Sequence, residues 1–282
     1  LSIMTEKYKY PKVLTIAGSD SGGAAGIQAD IKTISALGCY GMSVITALTA
    51  QNSLGVQGVM GVEPLFVKQQ LESIFSDLKP DAIKVGMVFS SELARTISNY
   101  LKDYPDIPIV FDPVMVATSG DQLIQPETIK TIIEELFPLA TIITPNMDEA
   151  AILAKILVEN VNDMKLAAKN IIDLGCQNVI VKGGHLKETQ LTSILMDSNY
   201  SITEFQHQKI NTKNINGAGC TFSSAIASYL AIGYSLSESV NLSQEFTFQA
   251  ILNGQNIQTG HGNGSLNHFF NPSKMIQLNL HP

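Results

Sequence analysis

A glycine-rich turn leads directly into a cysteine in the stretch "NINGAGCTFSSA", residues 214–225. Gly217, Ala218 and Gly219 precede Cys220, and an apolar-periodic run follows. Backbone N–H groups that converge at a helix start, aided by the helix dipole, form an anion hole. A cysteine in the first helical turn has a depressed pKa, so Cys220 could be a thiolate at neutral pH and act as a base in phosphoryl transfer. The alternative is a small buried filler.

A second glycine-rich loop, "AGSDSGGAAGIQAD", follows the first predicted strand. It matches neither GxGxxG nor a P-loop, so it supports neither a dinucleotide site nor a Walker-type kinase. Its glycines could bring the backbone close to a ligand, or could serve a tight turn alone. Asp20 could accept a hydrogen bond from a polar ligand or cap the turn. Gln51, after the second strand, could pair with a heterocycle edge or be a solvated loop residue.

Further polar side chains follow the later strands. Asp112 comes directly after a strand and could orient hydrated Mg²⁺. Asn146 and Glu149 lie three apart at a helix start, on one helical face, which suits a hydrated cation with phosphates, although an N-cap role explains Asn146 by itself. Lys182 is either a phosphate contact or a solvated charge. The apolar residues Met87, Val114 and Met115 suit the walls of a flat-ring pocket, or the core.

Strand-length apolar runs alternate with helical patterns almost from end to end, which predicts an α/β fold of three αβα layers around a mostly parallel sheet. We expect one kinase domain over residues 1–282, with residues 1–12 as an N-terminal extension and "LSI" as an expression remnant. "TSILMDSNYSITEFQHQKI" predicts a hairpin, and "SLSE" a capping box at the last helix. Ligands of such sheets gather at the carboxyl ends of strands, where the polar residues above fall.

The amino-acid composition argues against several classes of protein function. The chain has 282 residues, 45% of them hydrophobic, and a formal charge of −7. The absence of a Lys or Arg block argues against a nucleic-acid partner, and the apolar runs are too short for a membrane span. Three widely separated cysteines fit neither a disulfide framework nor zinc spacing. We therefore expect a cytoplasmic protein with a small-molecule ligand.

Taken together, the motifs resemble the hydroxymethylpyrimidine and hydroxymethylpyrimidine-phosphate kinases of thiamine biosynthesis, within the ribokinase-like superfamily. The resemblance runs from about Val13 to about Phe270. It is carried by "LTIAGSDSGGAAGIQADIKT", "GCYGMSVITALTAQNSLGVQ", "IKVGM", "DPVMVATSGD", "TPNMDEA", "VKGGH", "TKNINGAGCTFSSA" and "GHGNGSLNHF".

The resemblance implies Mg²⁺ and ATP as donor, a hydroxymethylpyrimidine or its monophosphate as acceptor, and a homodimer. The resemblance also implies that Cys220 is the catalytic base, beside the turn formed by Gly217, Ala218 and Gly219. The implied pyrimidine contacts are Gln51, Gly18, Asp20, Ala25, Met87 and Val114. The implied ATP and phosphate contacts are Asn146, Glu149, Lys182 and Thr212, with Asp112 and Glu149 on the metal.

Three positions depart from the pattern of this family. Asn216 replaces a frequent His, Thr118 replaces a frequent Lys in a phosphate-closing loop, and Ser265 replaces Pro. These departures concern rate and specificity more than reaction class. Residues 117–125 form our predicted lid, hinged at Gly120. Two alternatives stay open: a pyridoxal or pyridoxine kinase, which often carries Met in place of Gln51, and a non-catalytic ligand-binding relative.

Overall fold

A nine-stranded, mostly parallel sheet forms the centre of the computed structural model, which describes residues 7–115 and 125–279. The strand order is β10-β9-β8-β7-β6-β5-β2-β3-β4. Strands β2, β3 and β5–β8 pair in parallel, whereas β4, β9 and β10 add antiparallel edges. The strands are β2 (Lys12–Asp20), β3 (Tyr40–Asn52), β4 (Gly55–Gly61), β5 (Ala82–Val85), β6 (Ile109–Phe111), β7 (Ile142–Ile143), β8 (Asn178–Val181), β9 (Gln190–Asp197) and β10 (Ile202–Gln208).

Helices cover both faces of this sheet, because the strands are apolar on both sides. In β6, Ile109 and Phe111 enter one hydrophobic cluster and Val110 enters the other. The first cluster packs under α2 (Pro64–Phe75), α3 (Ser91–Leu101), α4 (Pro126–Glu135), α5 (Met147–Ala154) and α6 (Val161–Ile172). The second packs under α1 (Gly26–Ala36), α7 (Ala218–Ile232) and α8 (Leu236–Gly254). The predicted three-layer α/β architecture is thus confirmed.

Most predicted elements are present, including the β9–β10 hairpin and the capping box that Ser235 and Glu238 form at α8. Strand β4 was not predicted. The ribbon of β1 (Tyr8–Lys9) with β11 (Leu278–Asn279) was also missed, and it joins the start and end of the described chain. Across the described residues, none of the helices combines the length and the apolar character that crossing a membrane requires.

Candidate active site

One cavity of about 560 Å³ opens at the carboxyl ends of the parallel strands. It is lined by every residue that the sequence assigned to catalysis or to binding the acceptor, phosphate or metal, so residues as far apart in the chain as Gly18 and Cys220 share one space. Its lining includes Gly18, Asp20, Ala25, Gln51, Met87, Asp112, Val114, Asn146, Glu149, Lys182, Thr212, Gly217, Ala218, Gly219 and Cys220. Met115, suggested as a pocket wall or a core residue, lies in the core.

The GAGC turn starts α7 and is closely packed on both sides. Gly217 has φ of +88°, and a Cβ there would collide with the carbonyl oxygen of Ala24. Only glycine is therefore compatible with this turn. At Gly219 a Cβ would lie 3.2 Å from Nζ of Lys182 and 3.8 Å from Oδ2 of Asp112. The first turn of α7 thus packs directly against the Lys182 ammonium and the Asp112 carboxylate.

Cys220 lies partly exposed at this turn and contacts a second helix start. The backbone N–H of Gly26, the first residue of α1, favours the ionised form of the thiol. Burial, together with the charges of Asp30 and Asp112, nevertheless raises the pKa of Cys220 to about 11, although Lys84 and the Gly26 N–H act in the opposite direction. The raised pKa contradicts the expectation of a thiolate at neutral pH, and burial of the thiol is its main cause.

Asp112 and Lys182 form an ion pair beneath the turn, with 3.2 Å between Nζ and Oδ1. Thr144 and Ser223 also donate hydrogen bonds to the Asp112 carboxylate. Burial opposes ionisation of Asp112, but Lys182 and Lys84 lower its pKa below the usual value. Burial likewise opposes the charge on Lys182, and Asp112 and Glu149 raise its pKa. Both groups are therefore charged at neutral pH.

Asn146 and Glu149 form a reciprocal capping box at α5. Asn146 Oδ1 accepts the Glu149 N–H at 2.9 Å, and Glu149 Oε2 accepts the Asn146 N–H at 2.8 Å. Burial and the charge of Asp112 raise the pKa of Glu149 to about 7, against the opposing effect of Lys182. Two repelling carboxylates at one cavity fit a divalent cation. No group of three or more His, Cys, Asp or Glu with metal-binding geometry occurs in residues 7–115 and 125–279.

Asp20 is committed to the glycine-rich loop. Its carboxylate is almost fully buried and accepts the backbone N–H groups of Gly22, Ala24 and Ala25 at 2.7–3.0 Å. These three donors favour the turn-capping interpretation of Asp20. Its effect on a ligand is then exerted through the loop that it shapes.

Gln51 reaches the cavity from the β3–β4 hairpin. The pairing of these strands shifts register between Ala50 and Gln51, which re-aims the following side chains. Ser21 Oγ bonds both the N–H and the carbonyl of Gln51 at 2.9 Å, which fixes its backbone to the glycine-rich loop. Thr49 donates to Oε1 at 3.2 Å. The glycine-rich loop thus holds the backbone of Gln51, and Thr49 of the same strand holds its amide.

The other residues predicted for the site lie around the groups described above. Gly18 leaves room for Met87, whose Sδ would lie 3.3 Å from a Cβ at Gly18. Thr212 Oγ1 donates to the Gln255 carbonyl at 3.1 Å, so its hydroxyl joins the segment before α7 to the end of α8. Asn216 and Ser265 form an isolated parallel bridge. Thr118 and the predicted lid, apart from Gln125, lie outside the described residues.

Two features of the cavity escaped the sequence reasoning. Lys84, at the end of β5, borders the cavity although its side chain is completely buried. An apolar and aromatic wall that includes Leu191, Ile215, Phe248 and Ile251 also lines it. A strand-terminal lysine and isolated apolar residues in an amphipathic helix carry no signal that distinguishes a site from surface or core.

Comparison with known proteins places this geometry in a family. The family described as "Phosphomethylpyrimidine kinase" matches residues 20–267. The hydroxymethylpyrimidine/phosphomethylpyrimidine kinase of Rhizobium meliloti is 44% identical, over 91% of this chain and 96% of its own. The chain spans about half (51%) of the bifunctional thiamine biosynthesis protein ThiED of Geobacter sulfurreducens, at 46% identity.

Solved structures agree with this assignment. The crystal structure of phosphomethylpyrimidine kinase from Clostridium difficile matches with a TM-score of 0.75 and 47% identity, over 85% of this chain and 99% of that one. A pyridoxal kinase from Staphylococcus aureus, in complex with AMP-PCP, has a TM-score of 0.86 at 34% identity, over 93% and 95% of the two chains. With its ribokinase-like fold and the cavity described above, the chain belongs to the phosphomethylpyrimidine kinase family and is a phosphotransferase that uses ATP.

Proposed function

We propose that this protein transfers the γ-phosphoryl group of ATP to 4-amino-5-hydroxymethyl-2-methylpyrimidine and to its monophosphate. The observation that carries the proposal is the convergence of Cys220, the GAGC turn and the Lys182–Asp112 pair at one edge of the cavity. The names of relatives that match along nearly their whole length support the same reaction.

The acceptor ring binds, in this proposal, between Met87 and Val114, with the Gln51 amide at its polar edge. The hydroxymethyl oxygen then faces Cys220. In the first transfer this oxygen bonds to the γ-phosphorus, the bond from that phosphorus to the bridging oxygen breaks, and ADP leaves with the electron pair. The hydroxyl proton moves to the sulfur of Cys220 in its thiolate form, after the thiol has lost its own proton to solvent. The N–H groups at the start of α7 and the Lys182 ammonium stabilise the charge on the transferred group.

A second transfer would use an oxygen of the monophosphate, which already carries negative charge. That oxygen has no proton that must be removed, so this step depends on positioning and charge stabilisation rather than on a base. The two steps therefore make different demands on Cys220. This difference supplies the most direct test of its role.

ATP is proposed to place its base against the apolar wall of Ile215, Phe248 and Ile251, with its phosphates toward Lys182. Asp112 and Glu149 would hold Mg²⁺, directly or through water, and the ion would neutralise phosphate charge during transfer. The nearness of the two carboxylates supports this assignment, because the charge of Asp112 adds to the effect of burial in raising the pKa of Glu149.

We also propose a homodimer in the cytoplasm. Leu48 and Met60 pair across the β3–β4 hairpin, and both are exposed, as are Leu65 and Phe66 at the adjoining start of α2. An apolar surface of this kind suits a second copy of the chain. The three cysteines are free thiols, which fits a reducing compartment. Light scattering should give twice the 30.4 kDa chain mass, and Met60→Glu should shift it to that of a monomer.

An ADP-release assay coupled to NADH oxidation tests the function. The purified protein should turn over with the pyrimidine alcohol and with its monophosphate, each with a kcat/KM at least tenfold above that for pyridoxal. A preference for pyridoxal would instead support the alternative function of a pyridoxal kinase. Pyridoxal is included in the assay because a pyridoxal kinase from S. aureus is structurally similar to this chain. No ADP release with any of the three acceptors would contradict the proposal.

A further inference from the structure

A completely buried ion pair lies beneath the active-site turn. Lys84 Nζ is 3.0 and 2.9 Å from the two carboxylate oxygens of Asp30, and neither side chain has any exposed surface. Thr15 and Ser224 each donate a further hydrogen bond of 2.6 Å to Asp30. The pair therefore joins β2, α1, β5 and α7.

The ammonium end of Lys84 points toward the catalytic edge of the sheet. A Cβ at Gly86, two residues further along the chain, would lie 2.7 Å from Nζ, so the absence of a side chain there leaves room for the ammonium. On the other side, Ser224 is one helical turn beyond Cys220 in α7. The hydrogen bond from Ser224 to Asp30 thus fixes the part of the helix that carries the thiol.

Four charged groups act on Cys220 from the surrounding elements. Lys84 comes from β5, Asp30 from α1, Asp112 from the end of β6 and Lys182 from the end of β8. Burial alone would lower the pKa of Lys84, but Asp30 raises it above the usual value, with smaller effects of Cys220 and Asp112. The lysine is therefore charged, and its charge favours a thiolate while that of Asp30 opposes one.

We propose that Lys84, held by Asp30, is a positioning residue for Cys220: its buried ammonium stabilises the sulfur anion, and Asp30 sets how strongly it does so. A completely buried pair gives little net stability, because the loss of hydration offsets the attraction of the two charges. A role in tuning a neighbouring group accounts for its location better than a contribution to folding does. The inference rests on the role proposed for Cys220.

The test compares Lys84→Met, Asp30→Asn and the double variant, which remove the cation, the anion and both charges with little change in volume. The rate of Cys220 alkylation by iodoacetamide is followed from pH 6 to 11 by peptide mass spectrometry. Lys84→Met should raise the apparent pKa of the thiol by about one unit, and Asp30→Asn should lower it by about one unit. The double variant should return close to the wild-type value.

Opposite shifts distinguish charge tuning from a purely structural role, because loosened packing would expose the thiol in both single variants and change its pKa in the same direction. Shifts of the same sign, or no shift in Asp30→Asn, would overturn the proposal. If Lys84→Met does not fold, the Asp30→Asn and double variants still decide the question. Circular dichroism establishes folding for each.

Turnover provides a separate readout. For the alcohol acceptor, Lys84→Met should reduce kcat about tenfold while KM changes less than twofold. Alkylation needs no turnover, so it remains informative if the proposed kinase reaction is wrong. Normal turnover of Cys220→Ala together with opposite pKa shifts would refute the base and leave the charge tuning standing.

Discussion

Asn146 and Glu149 each accept the backbone N–H of the other, at 2.9 and 2.8 Å, and both line the active-site cavity. The two residues proposed for phosphate and metal are therefore also the cap of α5. Any substitution of them acts on two properties at once, nucleotide use and helix stability. A useful experiment has to separate these effects.

The double variant Asn146→Ala/Glu149→Ala should reduce kcat/KM for MgATP at least 100-fold and leave pyrimidine affinity within about threefold. Loss of the cap should also cost on the order of 1–2 kcal/mol of unfolding free energy. Steady-state kinetics, calorimetry with the pyrimidine and urea unfolding measure the three quantities.

The matched control is Ser235→Ala/Glu238→Ala, which removes the second capping box. It lies beyond the far end of α7, whose 15 residues lead away from the cavity over about 22 Å. This variant should lose comparable stability without losing MgATP use. Pyrimidine affinity that falls with nucleotide affinity in the first variant would point to a folding defect.

Cys220→Ala should lower kcat for the pyrimidine alcohol by roughly 10²–10⁴, the usual effect of a positioned acid–base group. For the monophosphate acceptor the loss should be less than tenfold, because that oxygen carries no proton to remove. Cys220→Asp should restore part of the first activity. Quench-flow with each acceptor separately measures both steps, and an equal loss in the two would argue against a base.

The pH dependence of the wild type provides a further test. Because the pKa of Cys220 is raised to about 11, the thiolate fraction grows as pH rises from 7 toward 10. We expect kcat for the alcohol to increase over this range, and Cys220→Asp to show a flat profile, since a carboxylate is already ionised at pH 7. A flat wild-type profile would mean that proton transfer to sulfur does not limit turnover.

Gln51→Met should change the acceptor preference. Loss of the amide leaves polar atoms of the pyrimidine unpaired, at a cost of about 1–3 kcal/mol in transition-state binding. Pyridoxal, which lacks that edge, should lose less. Ratios of kcat/KM for the two acceptors measure the shift, and equal losses would show that Gln51 does not read the ring.

Glu149→Gln should change how the ligand-free protein responds to pH. The pKa of Glu149 is raised from 4.5 to about 7, so the folded state holds this proton more tightly than the unfolded state does. Its contribution to stability is present below pH 4.5 and is lost as pH rises through 7. Between pH 5 and 8 the wild type should lose on the order of 1–3 kcal/mol more than Glu149→Gln. Urea unfolding without Mg²⁺ tests this, and identical pH profiles would contradict it.

The sequence predicted the fold because its signals are local. Periodic apolar runs, the glycine before Cys220 and the "SLSE" cap each determine structure within a few residues. Strand β4 escaped this reasoning, since "GVQGVMG" contains three glycines and is mostly exposed. It forms because β3 continues past its pairing with β2 and turns back to pair with itself as a hairpin. The short β1–β11 pairing likewise depends on residues at opposite ends of the chain.

The electrostatics of the site could not be predicted in the same way. The position of Cys220 at a helix start is visible in sequence, but the approach of Asp30 and Asp112 is a property of the folded chain. Lys84 illustrates the same limit, because a lysine at a strand end suggests solvent and this one has no exposed surface. Residue types indicated which groups are candidates for the site, and only tertiary structure determines their charge states.

The hairpin that carries Gln51 has a consequence for how this scaffold can evolve. It projects from β3 at one side of the sheet, whereas Asp112, Asn146 and Lys182 follow the central strands β6, β7 and β8. With Gln51 in its proposed role, substitutions in the hairpin would change acceptor choice and leave the strand ends that carry Asp112, Asn146 and Lys182 unaltered. Acceptor choice and phosphoryl transfer would then be able to change independently of each other within this lineage.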